Sequence, residues 1–163
     1  VCLDTCFNSS VNHLSVYIDT SVYLGYFDTA FKTSTRVLWR LHSEGHIHFN
    51  SSDLTLEHAQ SGPACVRALV EGTLSATNMF KKTEASEVLA RGYLERGILG
   101  FKGFQSARHA ALCAVSSLDT FVSVDASQKL NAENNKALNC FNQLQGYSHV
   151  RILSPSEFIT QFA

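Results

Sequence analysis

Asp19 is the residue whose type and surroundings could do chemistry in this chain. Asp19 closes the stretch Leu-Ser-Val-Tyr-Ile-Asp-Thr-Ser at 14–21, which concentrates β-branched and aromatic residues and then turns polar. That pattern predicts a buried strand ending in a helix start. Open α/β sheets place their ligands beyond the carboxyl ends of the strands, so Asp19 stands where a site would form. Thr20 and Ser21 can cap the helix, and Asp19 itself could serve as a plain N-terminal cap. Ser123 and Asp125 end a second strand-like run, Asp-Thr-Phe-Val-Ser at 119–123. Asp119 opens that run, at the wrong edge of the sheet for the same site. Four histidines, His42, His46, His48 and His58, lie within seventeen residues. His46 and His48 share one strand face, which raises a softer transition-metal site, although such pairs serve packing or solvent contact more often.

The elements that must position these residues follow from periodicity. Apolar residues at Leu24, Phe27, Phe31, Val37, Leu38 and Leu41 suggest two successive helices over 22–44, stopped by Gly45. His46 to Asn50 alternates as a second strand, and Ser51-Ser52-Asp53 starts a helix that runs to about Gln60. After Gly62-Pro63 a helix is expected over 64–80. The next covers 84–96, with Val88, Leu89 and Leu94 inward. Gly97, Gly100 and Gly103 are spaced three by three, which is neither the dinucleotide fingerprint nor a P-loop. A helix rich in small residues over 105–116, a strand at 119–123, a helix over 133–144, a strand at 150–153 and a capped final helix complete the chain. Alternating strands and helices predict a three-layer α/β/α sandwich with a central, mainly parallel sheet and helices on both faces.

The chain has 163 residues, enough for one domain with a full core. Residues 1–13 are polar and patternless and are read as an N-terminal extension, with 14–163 as a single domain. Its 45% apolar and 17% charged composition describes a globular protein. A net charge of -1 provides no global attraction to nucleic acid or anionic lipid, so any nucleic-acid contact must come from a local patch or a metal ion. Five cysteines make an odd number, and Cys113 and Cys140 fall inside apolar helical patterns. This favours reduced thiols and a cytoplasmic protein. No apolar run is long enough to span a membrane.

Taken together, several segments carry a resemblance. Val-Tyr-Ile-Asp-Thr-Ser-Val at 16–22, Ser-Ser-Asp-Leu-Thr-Leu-Glu-His at 51–58 and Ala-Arg-His-Ala-Ala-Leu-Cys-Ala-Val at 107–115 form its first half. Leu-Asp-Thr-Phe-Val-Ser-Val-Asp at 118–125, Asn-Gln-Leu-Gln-Gly-Tyr at 142–147 and Arg-Ile-Leu-Ser-Pro-Ser-Glu-Phe at 151–158 form its second. In order and spacing the chain resembles the PIN domains, the nuclease fold of the bacterial toxin–antitoxin ribonucleases often called VapC.

The resemblance implies a metal-dependent endoribonuclease that cleaves RNA phosphodiesters with metal-activated water. It implies Mg²⁺ or Mn²⁺ as cofactor and RNA, a cognate antitoxin and a second copy of the chain as partners. Hard cations want oxygen ligands, so such a site gathers carboxylates from distant parts of the chain. The family's first acid falls on Asp19 and its last on Asp125, beside Ser123. The chain departs from the pattern at the two middle acids. One falls on His58, with Glu57 one position earlier and turned by about 100° on a helix. The other falls on Ser106, since Ala107 and His109 match the family residues that come after that acid.

Asp19 and Asp125 are therefore the expected ligands of a single weak ion, with Glu57 as a contributing catalytic group. His58, Ser106, Ser21 and Ser123 occupy degenerate or supporting positions. His109 reads as a hydrogen-bonded core histidine. Arg36, Arg40 and Arg108 are the candidate RNA-backbone contacts, with a solvated helix face as the competing reading. The alternative for the whole protein is a catalytically degenerate module that binds RNA or a protein partner.

Overall fold

A computed structural model describes residues 14–98, 103–126 and 132–162. The expectation for residues 1–13 lies outside the described residues, as does most of the glycine-spaced loop. Among the described residues the strands are β1 (Leu14–Ile18), β2 (Ile47–Ser52), β3 (Asn78–Phe80), β4 (Thr120–Val122) and β5 (Arg151–Leu153). The helices are α1 (Thr20–Gly25), α2 (Lys32–Ser43), α3 (Asp53–Gln60), α4 (Ala64–Thr73), α5 (Glu84–Glu95), α6 (Phe104–Val115), α7 (Ala132–Leu144) and α8 (Pro155–Phe162).

The strands form one sheet in the order β3-β2-β1-β4-β5, and every pairing is parallel. Strand side chains alternate between faces, so the sheet divides the core in two. Tyr17 and Phe121 point to a layer built with Leu89, Tyr93, Ala110 and Leu138 from α5, α6 and α7. Val16, Ile18, Phe49 and Val122 point to the opposite layer, with Val22, Leu38, Val70 and Phe158 from α1, α2, α4 and α8. This is the three-layer α/β/α sandwich, with the sheet parallel throughout.

The structure departs from the sequence expectation in two places. The helix expected over 64–80 ends at Thr73, and a 3-10 turn at Leu74–Ala76 leads into β3. Three residues are too few to show a period of two, and Asn78 and Met79 are exposed. What makes them a strand is backbone pairing with β2, reinforced by the Asn78 amide donating to Asn50 Oδ1 at 3.2 Å. Val88 is 52% exposed rather than inward. α5 instead turns Ser86, Leu89, Ala90, Gly92 and Tyr93 inward, where its small residues let α6 and Phe141 approach.

The sheet order reverses direction between β1 and β4. From β1 the chain builds outward through β2 to β3, then returns to the other side of β1 with β4 and β5. The carboxyl ends of β1 and β4 at that reversal are the usual ligand position in open parallel sheets.

Candidate active site

Asp19 and the Ser123–Asp125 turn both lie at that reversal. Asp19 follows the last residue of β1 in extended conformation and caps α1, its Oδ1 accepting from the Ser21 amide at 3.0 Å. The same oxygen accepts from Ser21 Oγ at 2.5 Å, while Oδ2 accepts from Ser123 Oγ at 2.8 Å. Ser21 Oγ in turn accepts from the Val124 amide at 2.9 Å, and Ala126 N–H closes the turn onto the Ser123 carbonyl at 3.2 Å. Each hydroxyl has one proton, and both are committed to the carboxylate. The 3.1 Å approach of the two serine oxygens is therefore geometric contact without a shared proton. Asp19 thus takes the capping role that the sequence offered, and the same carboxylate also ties α1 to the turn after β4.

Asp19 is buried, 5% exposed. Burial pushes its carboxyl pKa above the ordinary value, the hydroxyls of Ser21 and Ser123 oppose this, and the nearby Asp125 charge adds to the rise. Asp125 is half-buried. Two acids separated by about a hundred residues thus feel one another at one end of the sheet.

The fold gives the other expected positions different partners. Glu57, on the exposed side of α3, forms an ion pair with Lys82 at 2.5 Å. The Lys82 hydrogen bond holds its pKa below the ordinary carboxylate value. His58, half-buried on the next position, sets its ring edge-on to His109 with centroids 5.9 Å apart. Ser106 is buried in the first turn of α6. His109 Nδ1 and Tyr17 Oη are 2.6 Å apart, and Tyr17 Oη lies 2.7 Å from Ser52 Oγ. Burial raises the Tyr17 pKa well above the usual tyrosine value. Tyr17 and Ser52 did not stand out in the sequence. The available signal was a tyrosine inside an otherwise apolar strand, whose hydroxyl needs a partner once buried.

The three arginines are all engaged within the protein. Arg108 Nε donates to both carboxylate oxygens of Glu87, at 2.9 and 3.2 Å. Its guanidinium also lies over the Phe104 ring, 5.6 Å from the centroid. Arg36 sits over the Tyr26 ring at 5.0 Å, and exposed Arg40 is 4.0 Å from Glu44 one turn on. The exposed Arg40–Glu44 pair is weak enough for a phosphate to displace, whereas the Arg108 side chain, only 14% exposed, is held more firmly by Glu87.

Among the described residues no group of three or more histidine, cysteine, aspartate or glutamate side chains is close enough to hold an ion. What the site offers is two carboxylates and two hydroxyls. That donor set fits a hard divalent cation which retains part of its water shell and completes its coordination with a substrate phosphate.

The architecture is that of the VapC-like PIN domains. A chain of the VapBC2 structure from Rickettsia felis, determined bound to a DNA fragment from their promoter, superimposes with a TM-score of 0.54 at 11% identity. The match covers 86% of this chain and 98% of that one. VapC20 of Mycobacterium tuberculosis, a toxin that cleaves the sarcin-ricin loop, superimposes with a TM-score of 0.50 at 15% identity, covering 83% and 98%. No family model and no curated protein matches the sequence. No helix among the described residues is long and apolar enough to cross a membrane.

Proposed function

We propose that this protein is a metal-dependent endoribonuclease of the toxin–antitoxin type, acting in the cytoplasm with a single, weakly held Mg²⁺ or Mn²⁺. The observation that carries this reading is the meeting of Asp19 with the Ser123–Asp125 turn at the reversal between β1 and β4. Asp19 and Asp125 hold the ion, which when bound supplies a water that is nucleophilic near neutral pH and offsets phosphate charge. Ser21 and Ser123 fix the orientation of the two Asp19 oxygens before any ion arrives. Glu57 contributes only after leaving Lys82, so its role is auxiliary. Arg36, Arg40 and Arg108 receive the RNA backbone by exchanging their internal partners for phosphate. A cognate antitoxin and a second copy of the chain are the protein partners of this reading.

A second reading has its own support. His58 and Ser106 stand where the family pattern has acids, and both oxygens of the Asp19 carboxylate already accept hydrogen bonds, from Ser21 and from Ser123. A protein that kept the fold for binding RNA or a protein partner would look the same at these positions. Calorimetric titration of Mn²⁺ and Mg²⁺ separates the readings, with Asp19→Ala as control and RNA cleavage followed on gels. The nuclease reading expects ion binding and cleavage that both disappear in the Asp19→Ala protein. Titration heat no greater than the control, with RNA still bound, leaves the binding module.

A further inference from the structure

The histidines that cluster in the sequence are separated by the fold, and the separation leaves one pair together. His58 turns to His109 on α6, and His46 turns to Glu44, 3.6 Å from its carboxylate. His42, near the end of α2, and His48, on β2, instead stay together, and both line a surface cavity of about 480 Å³. Trp39, Ile47 and Thr73 line the same cavity. It lies toward the amino-terminal end of β2, the opposite end of the strand from the turn into α3.

Three features of the pair suit a metal ion. The His42 ring is stacked on Phe49, centroids 4.2 Å apart and planes within 19°, so its orientation is set before any ligand arrives. His42 Nδ1 is 3.2 Å from the Ile47 carbonyl, which can only accept, so this nitrogen carries the proton. In the neutral ring Nε2 is then left with its lone pair, and an imidazole bonded to a backbone carbonyl through its other nitrogen is the usual form of a metal-ligating histidine. The two rings meet edge to face with centroids 5.9 Å apart. An ion bound to two imidazoles at about 2.0–2.1 Å keeps their centroids roughly 5–6.5 Å apart, depending on the angle at the metal.

We propose that His42 and His48 form a second metal site, selective for borderline transition-metal ions such as Zn²⁺ or Ni²⁺, at the α2–β2 edge of the cavity and independent of Asp19. Two neutral nitrogen ligands discriminate against Mg²⁺, which prefers oxygen. With two ligands from the chain, the remaining coordination positions go to water or to a donor on a bound partner.

Calorimetric titration of Zn²⁺ and of Ni²⁺ into the full chain tests this, alongside His42→Ala, His48→Gln, the double variant and Asp19→Ala. The expected result is one ion per chain, bound at least tenfold more weakly by each histidine variant and unchanged by Asp19→Ala. His48→Gln keeps the test usable if loss of the ring stacked on Phe49 unfolds the protein. Imidazole ¹⁵N resonances of His42 and His48 should shift on adding Zn²⁺ to the unaltered chain. Binding that survives in the double variant, through exposed Cys65 or Cys140 for example, overturns the proposal. So does an absence of binding, or its loss in Asp19→Ala alone.

Discussion

Asp19 combines two demands that oppose each other. It caps α1 and accepts hydrogen bonds from Ser21 and Ser123, all of which favour the charged form, yet it is buried beside a second acid, which disfavours it. Burial wins, and the folded carboxyl titrates above its ordinary value. A group whose pKa rises on folding stabilises the fold fully below the unfolded value, near about 4 for an aspartate, and loses that contribution as pH rises through the folded value. Asp19→Asn keeps an acceptor oxygen for the capping bonds and removes the charge. It is expected to raise the midpoint of thermal unfolding at pH 7–8, to flatten the decline in stability above pH 4, and to abolish stabilisation by added Mn²⁺. Melting curves collected from pH 4 to 8 with and without Mn²⁺ would check all three.

The elements are held in place by close approaches that leave little freedom. α5 meets α7 where Gly92 lies under the Phe141 ring, and a Cβ built on Gly92 would stand 2.7 Å from Phe141 Cε1. Arg96 covers the other part of that ring, its guanidinium 4.1 Å from the centroid. The ring is therefore hemmed in, and Gly92→Ala must push the helices apart. The gain in helix propensity, about 1 kcal/mol, is smaller than the overpacking cost of about 1–3 kcal/mol. Urea denaturation should show a net loss of up to about 2 kcal/mol with an unchanged slope. α8 presents the converse case. Ser154 and Glu157 bond reciprocally, with the Glu157 amide donating to Ser154 Oγ at 3.2 Å and the Ser154 amide donating to Glu157 Oε2 at 2.8 Å. Removing that cap with Ser154→Ala should cost about 1 kcal/mol by the same measurement, without moving the site.

For the molecule as a whole, the order β3-β2-β1-β4-β5 decides what the isolated motifs can do. Strand β1 lies at the centre, so its end is flanked by α3 from one direction and by the β4 turn and α6 from the other. The double variant His58→Glu with Ser106→Asp tests that convergence, since the two positions are far apart in sequence and share a site only through the fold. It should bind Mn²⁺ at least tenfold more tightly than the unaltered chain. Without metal it should melt at a lower temperature, because crowded carboxylates repel one another until an ion separates them. Unchanged affinity in calorimetry would mean that these positions do not face Asp19.

Much of this arrangement is local information. Strand β1, its terminal aspartate, the cap of α8 and the alternation of strands with helices rest on side-chain period and capping chemistry. Neighbouring residues specify these directly, so they were legible in the chain. Strand β3 was not, because three residues acquire strand identity only by pairing with β2. The exposure of Val88 was not legible either, since the face α5 buries is chosen by Gly92 and the Phe141 ring. The same holds for the histidines: sequence proximity groups four of them, while the fold keeps only His42 beside His48 and turns His46 to Glu44 and His58 to His109. A side chain's type is a property of the sequence, but its partners are set by which elements are packed together. For that reason Asp19 and Asp125 could be read early, and expected together from the family resemblance, while the serine hydrogen bonds that tie the end of β1 to the turn after β4 appear only in the assembled sheet.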